Sequence, residues 1–194
     1  MPEKTLNEIS APVRETFEKG KVALQRNILD YAFVHFEQVL QKEPGFYDCR
    51  KLLREAQLRK SGASTGFFKK ALGGLSTQPM VTKGRMMLEK NPLETISIAE
   101  QILNGDPNNT AAHKLLSDAA MKLDFPRTAI LSLETLVKAS PKDRQLRLDL
   151  AQAYINIHQT AKAEAIYGEL LRANPNDAEV AQAYKNLSAT KTLD

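Results

Sequence analysis

Three prolines recur at a fixed spacing in the second half of the chain. Pro107, Pro141 and Pro175 are 34 residues apart, from 107 to 141 and from 141 to 175. Each stands in a short polar cluster after an amphipathic run and is soon followed by Asn or Asp. Because proline cannot extend a preceding helix and Asn or Asp caps the next one, each cluster predicts a helix end and a helix start. Two helical patterns within each period predict an all-α repeat protein.

The interior of the period recurs as well. Windows 13–46, 110–143 and 144–177 each place a small residue in both predicted helices and a large apolar residue one turn after the second. The small pairs are Gly20 with Ala32, Ser117 with Ala129, and Ala151 with Ala163, and the large residues are Phe36, Leu133 and Tyr167. Antiparallel helices approach closely only where small side chains meet, so we expect the helices of each pair to cross there.

The window 76–109 departs from this register. Lys83 and Thr95 occupy its small positions, and Gly84 comes one residue late. A turn shortened by one residue near Asn91 restores the first helix to register. Asn91 is then expected to cap the next helix.

A further break lies between Pro44 and Pro107, which are 63 residues apart where two periods require 68. Residues 46–60 predict one helix, and residues 61–75, rich in glycine and small polar residues, predict a linker or loop. The last helical pattern, 178–187, predicts a cap on the array. We therefore expect N-terminal helices in 1–60, an irregular basic linker in 61–75, and a C-terminal array with its capping helix in 76–194.

Residues 13–46 and 76–187 resemble tetratricopeptide repeats. The resemblance implies an all-α α-solenoid of antiparallel helix pairs in a right-handed superhelix, whose concave face is lined by the first helix of each pair. It also implies a noncatalytic scaffold or adaptor that binds a peptide or helix of a partner protein on that face. The residues that fall there are Ala111, Lys114, Asp118, Gln145, Leu148, Gln152 and Ile155.

Some members of that family clamp the acidic tail of a chaperone with lysine, asparagine and arginine. Lys114 occupies the lysine position here, but Asp118 stands where an asparagine is needed, and Asp149 follows in the next repeat. Carboxylates at these positions repel a carboxylate ligand. We therefore do not expect this chain to bind such a tail.

The basic excess is confined to one part of the chain. Residues 1–75 carry 13 basic and 9 acidic side chains, and between 50 and 70 seven basic residues face only Glu55. This predicts an alternative function, a tether to an anionic membrane surface or another acidic surface through residues 50–72. Its docking residues are Arg59, Lys60, Phe67, Phe68, Lys69 and Lys70. In a second interpretation, Phe67 and Phe68 pack against Met86, Met87 or the neighbouring helix pair.

Residues for catalysis or metal binding do not cluster in the sequence. Cys49 is the only cysteine, and His35, His113 and His158 fall in different repeats without ligand spacing. We expect no enzyme activity, cofactor or metal, and no nucleic-acid binding, because no aromatic platform accompanies Arg50 and its basic neighbours. The first residues lack the apolar core of a signal peptide and no apolar run is long enough to span a membrane, so we expect a cytoplasmic protein. The N-terminal pair with its loop either dimerises or docks a second partner.

Overall fold

A computed structural model describes residues 2–63 and 77–191, and in this part the chain is built from helices. They are α1 Ala11–Gln25, α2 Leu29–Lys42, α3 Tyr47–Ala63, α4 Gln78–Met87, α5 Pro92–Gly105, α6 Thr110–Lys122, α7 Pro126–Ala139, α8 Arg144–Asn156, α9 Thr160–Ala173 and α10 Ala178–Lys191. Adjacent helices pack as antiparallel pairs, α1 with α2, α4 with α5, α6 with α7 and α8 with α9. The all-α solenoid expected from the sequence is confirmed. Helix α3 ends three residues beyond position 60, where we end the N-terminal helices, and those domain limits stay a prediction.

Side-chain caps start the helices of the repeat where the period predicts them. The Asn109 side chain accepts a hydrogen bond from Ala112 N at 3.0 Å, and Asp143 accepts one from Leu146 N at 3.1 Å. Asn91 does the same for α5, as predicted. Each cap satisfies a backbone N–H that has no partner within its helix, which fixes the residue at which the helix begins.

The small residues lie at the helix crossings. A Cβ atom added at Gly20 would lie 2.6 Å from the Phe36 ring of α2, so the predicted small and aromatic positions of the first pair touch. In the second pair Gly84 lies at the crossing, as the shortened register requires, and the Thr95 hydroxyl donates to its carbonyl at 3.1 Å. The small residue of each first helix therefore sets how closely its partner helix approaches.

The turn inside three of the four pairs contains one residue in the left-handed backbone conformation. Asn27, Asp124 and His158 have φ of 58°, 58° and 59°, and each lies at the same repeat position. Asn, Asp and His are among the residues that adopt this conformation most readily without being glycine. The pair α4–α5, with its shorter spacing, turns without such a residue.

Two apolar cores result. One is shared by α1, α2 and α3 around Phe17, Phe36 and Phe46. The other runs continuously from α4 to α10, and Val180 and Leu187 of α10 close it against the last pair. The capping helix predicted after Pro175 is confirmed.

The N-terminal helices rest on the second helices of the array. Helix α3 contacts α7 and is bonded to α5 by buried side chains, while Glu3 accepts hydrogen bonds from Arg127 N and Thr128 N at 3.0 and 2.7 Å. Glu3 thereby satisfies the free donors at the start of α7, where a negative charge is favoured. These contacts of α1–α3 all lie on the second-helix side, so none of the described ones covers the first helices α6 and α8.

Candidate functional site

The first-helix face is the side of the array formed by the first helix of each pair. Four of its predicted binding side chains form a stripe along α8. Gln145, Leu148, Gln152 and Ile155 follow at helical spacing, so they point to one side of the helix. Both glutamines are exposed, whereas Leu148 and Ile155 are half-buried and pack against the core. The stripe offers amide groups above a partly apolar floor.

Lys114 of α6 lies at the centre of a small charge network. Its Nζ contacts Asp118 Oδ1 at 2.7 Å and Asp149 Oδ2 at 3.4 Å, and Gln145 Nε2 donates to Asp149 Oδ1 at 2.8 Å. Partial burial lowers the pKa of Lys114, but Asp118 and Asp149 outweigh this and hold it above its usual value. The ammonium therefore stays charged and is shared by two carboxylates. From the sequence we placed Asp149 beside this face but did not predict that it bridges α6 and α8.

Amides continue along the same face. Gln152 Nε2 donates to Asn156 Oδ1 at 2.9 Å, and on α10 Gln182 Nε2 donates to Asn186 Oδ1 at 2.8 Å. Gln152 and Gln182 each have a second amide N–H and a carbonyl oxygen, and an amide can donate to a peptide C=O or accept from a peptide N–H. We did not predict Asn156, Gln182 or Asn186 from the sequence. Their signal was the i, i+4 spacing of amide pairs in successive first helices.

The residues proposed for surface docking lie only partly in the described chain. Arg59 donates to Leu24 O at 3.2 Å and pairs with Glu55, and Lys60 Nζ contacts Asp30 Oδ1 at 2.6 Å. Both basic groups therefore have partners within their own lobe. The remaining four, Phe67, Phe68, Lys69 and Lys70, lie outside the described residues.

Arg50 and Arg54 correct our interpretation of the basic segment. We assigned them to a basic surface, yet they are only 1% and 5% exposed. Arg50 Nη1 donates to Glu100 Oε1 at 2.8 Å, and Arg54 Nη2 donates to Glu100 Oε2 at 3.1 Å. The acidic partner of these two arginines is thus a carboxylate of the same chain, on α5.

Neutral side chains complete this buried cluster. Arg54 bonds Gln57, Gln57 Nε2 donates to Asn104 Oδ1 at 2.7 Å, and Asn104 Nδ2 donates to Glu37 Oε1 at 2.5 Å. The chain of bonds links α2 and α3 to α5. These hydrogen bonds offset part of the cost of removing the charges from water, while the buried Nε atoms of Arg50 and Arg54 have no partner among the described residues.

The two guanidiniums determine the charge state of Glu100. Burial raises the pKa of Glu100, but the positive charges of Arg54 and Arg50 offset this and leave the pKa below its usual value. The carboxylate is therefore ionised at neutral pH. Burial lowers the pKa of Arg54, against the opposing effect of Glu100.

The histidines and the cysteine have structural positions. His113 is fully buried, with Nε2 2.9 Å from Pro107 O and Nδ1 3.2 Å from Ser132 Oγ. Cys49 is buried beside the Phe36 carbonyl, and burial raises the pKa of its thiol. His35 lies against the Tyr31 ring, and His158 is exposed in a turn.

Residues 2–63 and 77–191 contain neither a cluster of metal ligands nor a membrane-spanning helix. Neither stretch groups three His, Cys, Asp or Glu side chains in an arrangement that holds a metal ion. None of the helices there has the length and hydropathy to cross a membrane.

Sequence comparison finds relatives at low identity. A family model described as tetratricopeptide repeat matches residues 126–187. DnaJ homolog subfamily C member 3 from Homo sapiens is 22% identical over 162 residues, which cover 80% of this chain and 32% of the relative. The Rattus norvegicus protein of the same name is 23% identical over 162 residues, with the same coverage. The chain thus spans about a third of the length of the curated relatives it matches.

Solved structures share the architecture. MamA from Desulfovibrio magneticus RS-1, residue 41 to its end, superposes with a TM-score of 0.56 at 14% identity, covering 94% of this chain and 87% of that one. The first tetratricopeptide repeat domain of Spaghetti (RPAP3), bound to the HSP90 peptide SRMEEVD, gives a TM-score of 0.53 at 16% identity, covering 60% and 93%. At these identities the likeness concerns the fold. Residues 126–187 match the tetratricopeptide repeat family, and the described chain shares the helix-pair fold of these solved tetratricopeptide structures.

Proposed function

We propose that this protein is a noncatalytic scaffold that holds an extended segment of a partner protein along the first helices α6, α8 and α10. The observation that carries the proposal is the stripe of amides above Leu148 and Ile155, on the side of the array that the described N-terminal helices leave open. Amides pair with the backbone of an extended segment, and the apolar floor receives its side chains. The Spaghetti domain, which shares the fold, carries a bound peptide.

The charges around Lys114 limit which partner segments can bind to the first-helix face. Lys114 is already paired with Asp118 and Asp149, so the centre of the face holds two carboxylates and one ammonium. An incoming carboxylate meets repulsion there, whereas a lysine or arginine side chain gains a favourable partner. We therefore infer that the bound segment is basic or neutral at this point, in contrast to an acidic chaperone tail.

The alternative function as a surface tether loses part of its support. Its predicted basic segment includes Arg50 and Arg54, which are buried against Glu100, and Arg59 and Lys60 are paired within the N-terminal lobe. These four groups offer little free positive charge to an anionic surface. The scaffold remains the function that the described residues favour.

Selection from a peptide library of varied net charge tests the proposal. We expect the wild-type chain to enrich basic or neutral peptides and the double variant Gln145→Arg/Gln152→Arg to lose them, because two cations then block and repel the segment. Both positions are exposed, so the fold should persist, as circular dichroism can verify. The matched control is Gln101→Arg, an exposed glutamine on the second helix α5, which should leave the selection unchanged. Equal loss in both variants, or retention in the double variant, contradicts the proposed face.

A further inference from the structure

Four large apolar side chains stand exposed on the first helix pair. Val22 is 43% exposed, Ile28 52%, Tyr31 54% and Val34 49%. Only three other large apolar side chains among the described residues are comparably exposed. Three of the four, with Ala23, line a depression of about 350 Å³ between α1 and α2. We call this surface the end face.

The end face points away from the other described helices. The exposed stripe of α1 consists of Glu15, Lys19, Val22 and Arg26. The buried stripe lies on the opposite side of the helix, where Phe17 packs against Phe46 at 4.8 Å, beside the start of α3. In a solenoid the side of the first pair opposite to the next helix is the position at which a preceding repeat would stack.

The two ends of the solenoid differ in polarity. At the C-terminal end α10 buries Val180 and Leu187 and exposes Lys185, and Tyr184, at 36%, is the one large apolar side chain exposed among its described residues. At the N-terminal end the described residues leave an apolar surface with a depression uncovered. An exposed apolar patch of this kind marks a binding surface.

We propose that the end face binds the same face of a second copy of this chain, with the two α1 helices antiparallel across a two-fold axis. The charges of α1 complement one another in this arrangement. Glu15 and Arg26 lie eleven residues apart on one stripe, roughly 16 Å along the helix. An antiparallel α1 in register places Glu15 opposite Arg26 of the second copy, and the same contact forms again on the other side of the axis.

The same register also pairs the residues at the centre of the exposed α1 stripe. Val22 then lies opposite Lys19 of the second copy, whose aliphatic stem can cover it while its ammonium keeps its 2.7 Å contact with Glu15. The depression is lined by two acidic residues, Glu15 and Glu18, and by two basic ones. A balanced patch of this kind complements itself, whereas a partner of one charge sign meets as much repulsion as attraction.

Charge reversal with sedimentation velocity tests this arrangement. At micromolar concentration the sedimenting species of the wild type should have the mass of two chains. Glu15→Arg and Arg26→Glu should each weaken the dimer by roughly tenfold, because each creates two pairs of like charges across the axis. The double variant Glu15→Arg/Arg26→Glu should regain wild-type affinity, which a general loss of folding cannot produce.

Substitution of an apolar residue of the end face provides a second test of the dimer. Val22→Glu should yield a monomer with the helical circular dichroism of the wild type, since Val22 contributes little to the core. Met86→Glu, at an apolar residue that is 68% exposed on α4, should leave the dimer intact. A monomeric wild-type chain at every concentration, a persistent dimer of Val22→Glu, or a double charge reversal no tighter than the single ones would overturn the proposal.

Discussion

At the scale of single residues, the repeat depends on contacts between its small and its aromatic positions. The Phe36 ring fills the space above Gly20, and no side-chain atom fits between them. Phe36 is fully buried and its ring also lies near Phe17, with ring centroids 6.1 Å apart. A rigid ring held on both sides cannot yield to a new atom as a flexible side-chain end can.

Substitution of Gly20 by alanine is expected to destabilise the protein. The added Cβ would come within 2.6 Å of the ring, and overpacking of a filled core costs about 1–3 kcal/mol in the free energy of unfolding. Gly168→Ala inside α9 is the matched control, because a Cβ added there meets no atom within 4 Å beyond its own helix backbone. It should stabilise the protein by up to about 1 kcal/mol, since alanine favours a helix interior over glycine. Urea unfolding measures both. Equal and small effects of the two substitutions would contradict the crossing contact.

His113 gives the stability a dependence on pH. Burial, with the nearby positive charge of Arg54, lowers its pKa below the usual 6.5. Below pH 6.5 the unfolded chain therefore binds a proton that the folded chain does not, so the stability falls as the pH falls, by at most about 1.4 kcal/mol per pH unit.

The variant His113→Gln should unfold more easily at neutral pH but lose less stability between about pH 6.5 and pH 5. Thermal melts across that range supply the comparison. If the melting temperatures of wild type and variant fall in parallel, the low pKa of His113 is excluded as the cause.

At the scale of helices, α3 differs most from a regular repeat. It is a first helix that packs on the second helices α5 and α7, and Arg50 and Arg54 bond to Glu100 in the contact. A buried pair of this kind adds little net stability, but the loss of one partner strands the other charge. We infer that the cluster fixes the position of α3 on the array.

Substitution Glu100→Gln should therefore be severe. Two buried guanidiniums lose their carboxylate, at a cost of about 3–5 kcal/mol in the free energy of unfolding. The apolar triple variant Arg50→Met/Arg54→Met/Glu100→Leu should recover at least half of that loss, because no buried charge is left unpaired. Glu89→Gln, which breaks the exposed pair with Lys122, should cost less than about 1 kcal/mol. A triple variant less stable than Glu100→Gln would refute this account.

The helices of the regular repeats were predictable from the sequence, and the environment of α3 was not. Proline followed by Asn109 or Asp143 is a local signal, so the ends of α5 and α7 and the starts of α6 and α8 could be located from neighbouring residues alone. The burial of Arg50 depends on a helix fifty residues away, which no local pattern specifies. The one available signal was Glu100 itself, a lone acid within an otherwise apolar helical face.

At the scale of the whole molecule, ion pairs join successive repeats along the array. Lys114 pairs with Asp149, Lys122 with Glu89 and Arg144 with Asp177. Partners in each pair are separated by one period, give or take one residue. Charges of opposite sign one period apart therefore indicated these contacts, and with them the bridge between Lys114 and Asp149 that our site prediction lacked.

Removal of the carboxylates beside Lys114 should reverse the preference of the first-helix face for basic over acidic peptides. The double variant Asp118→Asn/Asp149→Asn leaves Lys114 unpaired, so the acidic peptide SRMEEVD should bind it at least about tenfold more tightly than it binds the wild type. Isothermal titration of both proteins with this peptide provides the test. Tight binding to the wild type that Lys114→Ala abolishes would show that the carboxylates do not control the face.

Hydrogen–deuterium exchange of the full chain, with and without the tightest peptide from the library selection, tests the scaffold account most directly. Amide exchange is slowed where a ligand stabilises local structure. We expect the peptide to slow exchange in α6 and α8, residues 110–122 and 144–156, and to leave the second helices 92–105 and 126–139 unchanged. Protection confined to those second helices, or to α1 and α2, would contradict binding on the first-helix face.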